Sequence, residues 1–134
     1  MNKNDLEKRT LRFALKIIEF VATLPKNKTG DVIEFQLVKA GTSVGANYRE
    51  ANRAESRNDF IHKLAIVEKE SSESLYWLEL CHEAGIGSNA LREWLLGESK
   101  ELLAIFTSAG RTSKTHRNDK QFAIRNSKFE IRRT

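Results

Sequence analysis

The sequence predicts an all-α fold: an antiparallel up-down-up-down four-helix bundle with a basic C-terminal tail. Apolar residues recur at spacings of three and four in four successive segments, which is the period of an amphipathic helix. The 134 residues include only one proline and seven glycines, and no segment alternates as a strand does. Short connections favour antiparallel neighbours, so we expect one domain, with the bundle at residues 1–112 and the tail at 113–134.

The first predicted helix begins at a cap on Asn4 or Asp5 and continues to about Leu24. Pro25 ends it, because the residue before a proline avoids the helical region. The apolar face of this helix consists of Leu6, Phe13, Ile17, Val21 and Leu24, widened by Ala14, Ile18 and Phe20.

The second predicted helix begins at Thr29 or Asp31 and keeps its period through Gly41 and Gly45. A glycine inside a helix costs about 1 kcal/mol relative to alanine. The two glycines are four residues apart and share a face, so we expect another helix to approach closely there, within the chain or across a subunit contact. The apolar positions are Val32, Phe35, Leu37, Val38, Val44, Tyr48 and Ala51.

The third predicted helix runs from about Asn58 to Ala84, with Ser56 or Asn58 as its cap. Gly85 follows it at a position that favours the left-handed conformation. The buried stripe of this helix is predicted to be Phe60, Leu64, Val67, Ser71, Ser74 or Leu75, Leu78 and Cys81.

The fourth predicted helix begins at a cap on Ser88 or Asn89 and ends near Gly110. Beyond Gly110 the apolar pattern fades, so we expect a mobile segment, or one that is ordered only by contact with another chain. The core of the fourth helix is predicted to be Leu91, Leu95, Leu102, Ile105 and Phe106.

Polar residues on the second and third helices could form a buried layer between them. They recur at spacings of three and four on each helix, and a turn near residues 56–58 would bring the two sets together. Such a layer can fix the register of two helices, and we expect a structural role rather than acid–base catalysis. The residues are Ser43, Asn47, Glu50, Arg53, Glu70, Glu73 and Trp77.

The residue patterns do not indicate an enzyme. Residues 41–45, Gly-Thr-Ser-Val-Gly, lack the Lys-Ser/Thr of a phosphate-binding loop, so helix packing is the better interpretation. Cys81 and His82 are neighbours that point to different faces of a helix, and no second pair has metal-ligand spacing. We therefore expect no catalytic residue, no metal and no cofactor. A lone cysteine, the absence of long apolar runs and a polar N-terminus indicate a cytoplasmic protein without membrane contact.

The basic charge is concentrated in the tail. The chain has a net charge of +5, but residues 111–134 hold eight Lys/Arg and two acids, a net +6, and the rest is −1. A basic tail on a near-neutral body suggests a polyanionic or acidic partner, although a solubilising end is an equally good interpretation. Arg9, Arg12 and Lys16 form a smaller stripe on the first helix, either a solvated face or a phosphate contact. The tail candidates for nucleic-acid binding are Arg111, Lys114, Arg117, Lys120, Arg125, Lys128, Arg132 and Arg133.

The centre of the chain resembles a bacterial four-helix-bundle family named for proteins encoded in 23S ribosomal RNA intervening sequences. That family in turn resembles the accessory protein of diversity-generating retroelements. The resemblance covers about residues 5–112, and the tail beyond about Arg117 exceeds the common length. The matching residues are Gln36, Leu37, Gly41 to Val44, Ala46 to Tyr48, Glu50, Ala51, Asp59 to Ile61, Lys63, Leu64, Lys69, Glu70, Glu73 and Tyr76 to Leu78.

The resemblance implies a ring-like homopentamer that binds nucleic acid through basic surfaces and is not an enzyme. Tyr48, Tyr76 and Trp77 lie on different faces and are hard to bury in one bundle, which also favours an oligomer. Two functions follow. The first is an accessory factor that binds RNA or DNA. The second is an oligomeric scaffold that binds a protein, such as a reverse transcriptase, without nucleic-acid contact.

Overall fold

The computed structural model describes the backbone of residues 1–133 and the side chains of residues 1–115. Over residues 1–133 the chain forms four α-helices and no strand, which confirms the predicted all-α bundle. Each helix packs on the next along the chain, and α1 also contacts α4, which closes the bundle. No helix among the described residues is long and apolar enough to cross a membrane. The helices are α1 Lys3–Val21, α2 Lys28–Asn52, α3 Arg57–Ala84 and α4 Asn89–Arg133.

Two of the helices begin earlier than predicted because asparagines cap them. Asn2 caps α1 in a reciprocal arrangement: its side chain accepts from the Asp5 amide at 2.9 Å, and the Asp5 carboxylate accepts from the Asn2 amide at 3.3 Å. Asn27 caps α2 by accepting from the amide of Gly30 at 2.9 Å. Of the two caps predicted for α3, Ser56 or Asn58, the structure has Ser56, whose hydroxyl accepts from the amide of Asp59 at 3.0 Å.

The C-terminal stop of α3 is also confirmed. Gly85 adopts φ 65° and ψ 34°, the left-handed conformation that costs glycine little. By contrast, α1 ends at Val21 rather than at Leu24. The amides of Thr23 and Leu24 donate to carbonyls three residues back, which forms a tight turn before Pro25.

The hydrophobic core runs the length of the bundle. Gly41 faces α1, where a Cβ would lie 3.0 Å from the side chain of Ile17, so the predicted close approach of a neighbouring helix is confirmed within the chain. The largest fully buried side chains are Phe13, Ile17 and Phe20 of α1, Leu37 and Val44 of α2, Leu64, Val67 and Leu78 of α3, and Leu95, Leu102 and Phe106 of α4.

Three predicted core residues are instead exposed. Phe35 is 64% exposed, and Val32 and Ile18 are about half exposed. The prediction was wrong for Val32 and Phe35 because α2 buries the row that includes Ile33 and Leu37 between α1 and α3, and this leaves the opposite face outside. On α1 the buried row includes Phe13, Ile17 and Phe20, and Ile18 lies outside it. On α3, Ile61 is buried and Phe60 only half-buried.

The predicted end of the fourth helix at Gly110 is wrong. α4 continues without a break to Arg133 and crosses the expected boundary between bundle and tail. A single glycine costs a helix only about 1 kcal/mol, and no proline follows to stop it. Gly110 is itself buried beside α3, where a Cβ would lie 3.3 Å from the Glu68 carboxylate.

Candidate nucleic-acid interface

One end of the bundle gathers cations from three elements. The α2–α3 turn lies there, and α4 continues past it. The Arg57 guanidinium, in the first turn of α3, donates to the backbone carbonyl of Ser113 on α4 at 3.5 Å. We call the exposed residues Arg53, Arg57, Arg111 and Lys114 the basic end.

The sequence predicted part of the basic end. It identified Arg111 and Lys114 as candidates for nucleic-acid binding, and both are exposed on α4. It assigned Arg53 to a structural layer, and it missed Arg57. The Arg57–Ser113 contact joins residues 56 positions apart, so no local spacing could have indicated it.

Two cations between the basic end and the bundle body are paired with acids. Lys63 donates to the Glu50 carboxylate at 2.9 Å and links α3 to α2, which raises the pKa of Lys63. Arg49 lies 3.8 Å from Glu7 of α1. Residues 1–110 hold 15 Lys/Arg and 16 acids, whereas residues 111–134 hold eight Lys/Arg and two acids, so the excess of positive charge belongs to the C-terminal part of α4.

Two of the three cations in the predicted stripe on α1 are paired with acids of the same chain. Arg9 binds two carboxylates of α4, Glu98 at 2.6 Å and Glu101 at 2.7 Å. Lys16 pairs with Glu19 of its own helix at 3.1 Å. The Arg12 guanidinium lies 5.1 Å from the ring centroid of Trp94, a distance typical of a cation–π contact. A nucleic-acid role for this stripe stays a prediction, and this pairing weakens it.

Among the side chains of residues 1–115, no hydrogen bond joins the α2 members of the predicted polar layer to its α3 members. The Ser43 hydroxyl donates to the Lys39 carbonyl, the Asn47 amide to the Ser43 carbonyl, and Arg53 to the Arg49 carbonyl, all within or at the end of α2. Among the described residues, the only salt bridge between the two helices is that of Glu50 with Lys63.

The α3 members of that layer are nevertheless partly buried. Burial, followed by the like charge of Glu73, raises the pKa of Glu70. The indole Nε1 of Trp77 is buried without a hydrogen-bond partner in the described part of the chain.

The cysteine and histidine at the end of α3 have separate environments. Cys81 is fully buried, and burial raises the pKa of its thiol, so the nucleophilic thiolate is disfavoured. His82 is exposed, and its Nδ1 lies 3.2 Å from the Glu93 carboxylate. Within the side chains described, no three His, Cys, Asp or Glu are grouped so that they could hold a metal.

The remaining cations of the tail are Arg117, Lys120, Arg125, Lys128, Arg132 and Arg133. They belong to the helical part of α4, but their side chains lie outside the described residues.

A second surface, which the sequence did not predict, is apolar. Leu11, Leu15 and Ile18 are about half exposed on α1 and line a groove with Thr42 and Ala46 of α2. We call these five residues the apolar groove. Of the aromatics expected to be hard to bury together, Tyr48 is in the core beside Phe106, whereas Tyr76 is exposed and Trp77 half-buried.

Comparisons with known proteins agree with this architecture. The family described as 23S rRNA-intervening sequence protein matches residues 2–108. A crystal structure of a protein of unknown function from the S23 ribosomal protein family of Bacteroides thetaiotaomicron is similar, with 35% sequence identity and a TM-score of 0.74. The similarity covers 83% of this chain and 99% of that one. No curated protein matches. By the extent of its family match, this chain belongs to the 23S rRNA-intervening sequence protein family.

Proposed function

We propose that this protein is a non-enzymatic accessory factor that binds RNA or DNA through the basic end and the C-terminal part of α4. The observation that carries the proposal is the distribution of charge. Residues 1–110 hold 15 Lys/Arg against 16 acids, a net −1, whereas residues 111–134 carry a net +6. Lys and Arg in such a segment neutralise phosphates without reading base sequence, so the binding is general and sensitive to salt.

The same proposal includes self-association, with the pentamer implied by the family resemblance as the expected state. The apolar groove supports it, because three large aliphatic side chains of α1 are about half exposed on one face. Contiguous exposed apolar surface commonly marks a protein contact. In a ring, several basic ends would act together and increase avidity without any new kind of contact.

The test is a binding titration of the full chain with a labelled RNA duplex, a DNA duplex and a single-stranded RNA. The variant R57A/R111A/K114A removes three cations from the basic end. The control K26A/K28A/K100A removes three exposed cations elsewhere and so has the same net charge. We expect the first variant to weaken binding several-fold more than the control. Absence of binding by the parent at low salt would contradict the proposal.

The apolar groove also favours a second candidate function, an oligomeric scaffold that binds a protein such as a reverse transcriptase. A scaffold would use the groove and would need no nucleic-acid contact. If the parent assembles but binds none of the three nucleic acids, the scaffold becomes the better account.

A further inference from the structure

The C-terminal part of α4 continues past the residues that the family shares. The family match ends at residue 108, and α4 continues to Arg133. Arg57, in the first turn of α3, reaches the backbone of Ser113, so α3 begins beside this point of α4. Residues 114–133 of α4 therefore extend beyond the start of their neighbour α3, and we call them the arm.

The order of residues in the arm follows the helix period. Five of its cations and one glutamine recur at spacings of three, four, four, three and four, so these six positions share one side of the helix. The two acids of the segment, Asp119 and Glu130, fall half a turn away on the other side. We call the six positions the basic row: Lys114, Arg117, Gln121, Arg125, Lys128 and Arg132.

The arm separates its cations from its acids more strictly than a net positive charge alone would require. A solubilising end needs only an excess of cations, in any order. The row instead keeps both acids away from five cations over 19 residues, from Lys114 to Arg132, whose ends are about 27 Å apart at 1.5 Å per residue. That length matches about eight steps of a duplex, whose phosphates are spaced about 3.4 Å along each strand.

On the basis of the proposed function, we propose that the arm is a helical duplex-binding element, whose basic row lies along the phosphate backbone of double-stranded nucleic acid. A duplex fits better than a single strand, because single strands are held chiefly by stacking on aromatic rings. No aromatic residue occupies the row, since Phe122 and Phe129 fall beside it rather than in it. Gln121 adds a hydrogen-bond donor suited to a phosphate oxygen.

The test exchanges residues in the full chain so that composition and net charge stay constant. The row variant exchanges three pairs, A123R/R125A, S127K/K128S and E130R/R132E, which moves three cations off the row and puts an acid into it. The control exchanges two pairs outside the row, K120S/S127K and N126R/R133N. Circular dichroism checks that both variants keep the parent's helix content.

We expect the control to bind a duplex within about twofold of the parent. The row variant should bind at least tenfold more weakly, and its plot of log K against log salt should be flatter by about 0.9 for each phosphate that it no longer neutralises. Parallel titrations with RNA duplex and DNA duplex show which backbone the row prefers. A row variant that binds like the parent would overturn the inference while the proposed function stands. A row variant with weaker binding to single strands only would also overturn it. If the parent binds no nucleic acid at all, both the inference about the arm and the proposed function are contradicted.

Discussion

A Cβ on Gly45 of α2 would lie 3.0 Å from the hydroxyl oxygen of Thr10 on α1 and 3.2 Å from its Cβ. Thr10 is fully buried, and its hydroxyl donates to the carbonyl of Leu6 at 2.8 Å. α1 and α2 therefore pack at a distance that favours a glycine at this position. This contact lies beneath the apolar groove and fixes the relative position of the two helices that form it.

We predict that Gly45→Leu destabilises the fold by about 1–3 kcal/mol, because the larger side chain must displace Thr10 and the α1 backbone. Chemical denaturation measures the change. Gly97 is the matched control, since a Cβ there would meet nothing within 4 Å. Gly97→Ala should stabilise the exposed helix by up to about 1 kcal/mol. A Gly45→Leu variant as stable as the parent would show that the helices are farther apart than described.

We predict that Arg9 of the α1 stripe stabilises the fold through its ion pair with Glu98. The two side chains are 21% and 10% exposed, so the pair is better shielded than an ordinary surface pair. Arg9→Ala should cost about 1 kcal/mol of unfolding free energy, at the upper end for partly exposed pairs. Lys16→Ala, which breaks an exposed pair within α1, should cost about 0.5 kcal/mol or less.

The Arg9→Ala variant also tests whether the stripe binds nucleic acid. The Arg9 guanidinium is already bound by the carboxylates of Glu98 and Glu101, which leaves it little charge for a phosphate, so Arg9→Ala should change duplex affinity by less than about twofold. A much larger reduction of affinity, in a variant that is still folded, would restore the stripe as a binding surface.

We predict that removing the Glu70 carboxylate increases the stability of the fold and that the increase depends on pH. Burial and the nearby Glu73 raise the pKa of Glu70 above its ordinary value of 4.5, so ionisation disfavours the folded state. The destabilisation of the folded state by ionised Glu70 is absent below pH 4.5. It grows as the pH rises toward the pKa of Glu70 in the folded state and is complete above that pKa. Glu70→Gln should therefore be more stable than the parent at pH 7 and lose that advantage below pH 4.5. Glu79→Gln on the exposed side of α3 is the control; an equal gain there would contradict the assignment to Glu70.

If subunits associate through the apolar groove, a charged side chain placed in the groove should reduce the mass of the assembly. The pentamer would have a mass of about 76 kDa, five times the 15.3 kDa of one chain. Leu15→Glu puts a carboxylate in the groove and should shift the light-scattering mass toward 15.3 kDa, because a buried charge without a partner is costly. Lys28→Glu, outside the groove, should assemble like the parent. A Leu15→Glu variant with the parent's mass would exclude the groove as the subunit contact.

Local signals in the sequence were sufficient for the fold but less so for its boundaries. Ser56 and Gly85 were identified correctly, because a cap and a left-handed stop depend on a few adjacent residues. The end of α4 was missed, because the cost of Gly110 is small against the helix on either side of it. The exposure of Phe35 depends on which neighbours α2 has, and the period alone does not specify them.

The sequence was sufficient to predict the net charge of the candidate site, but not which cations are held by contacts with distant residues. The excess of cations beyond residue 110 can be counted directly in the sequence. Whether a given cation is available depends on contacts between distant residues, such as Arg9 with Glu98 or Arg57 with Ser113. The first of these contacts neutralises charge on α1, and the second joins the start of α3 to α4. Neither follows from local spacing.

The salt dependence of duplex binding tests the central claim most directly. Affinity for a labelled RNA duplex is measured over a salt series for the full chain and for a chain that lacks residues 113–134. The account predicts that log K falls linearly with log salt for the full chain. It also predicts that the deletion weakens binding to all sequences alike and flattens the slope by about 0.9 for each duplex phosphate that is no longer neutralised. Equal affinity and equal slope for the two chains would contradict it.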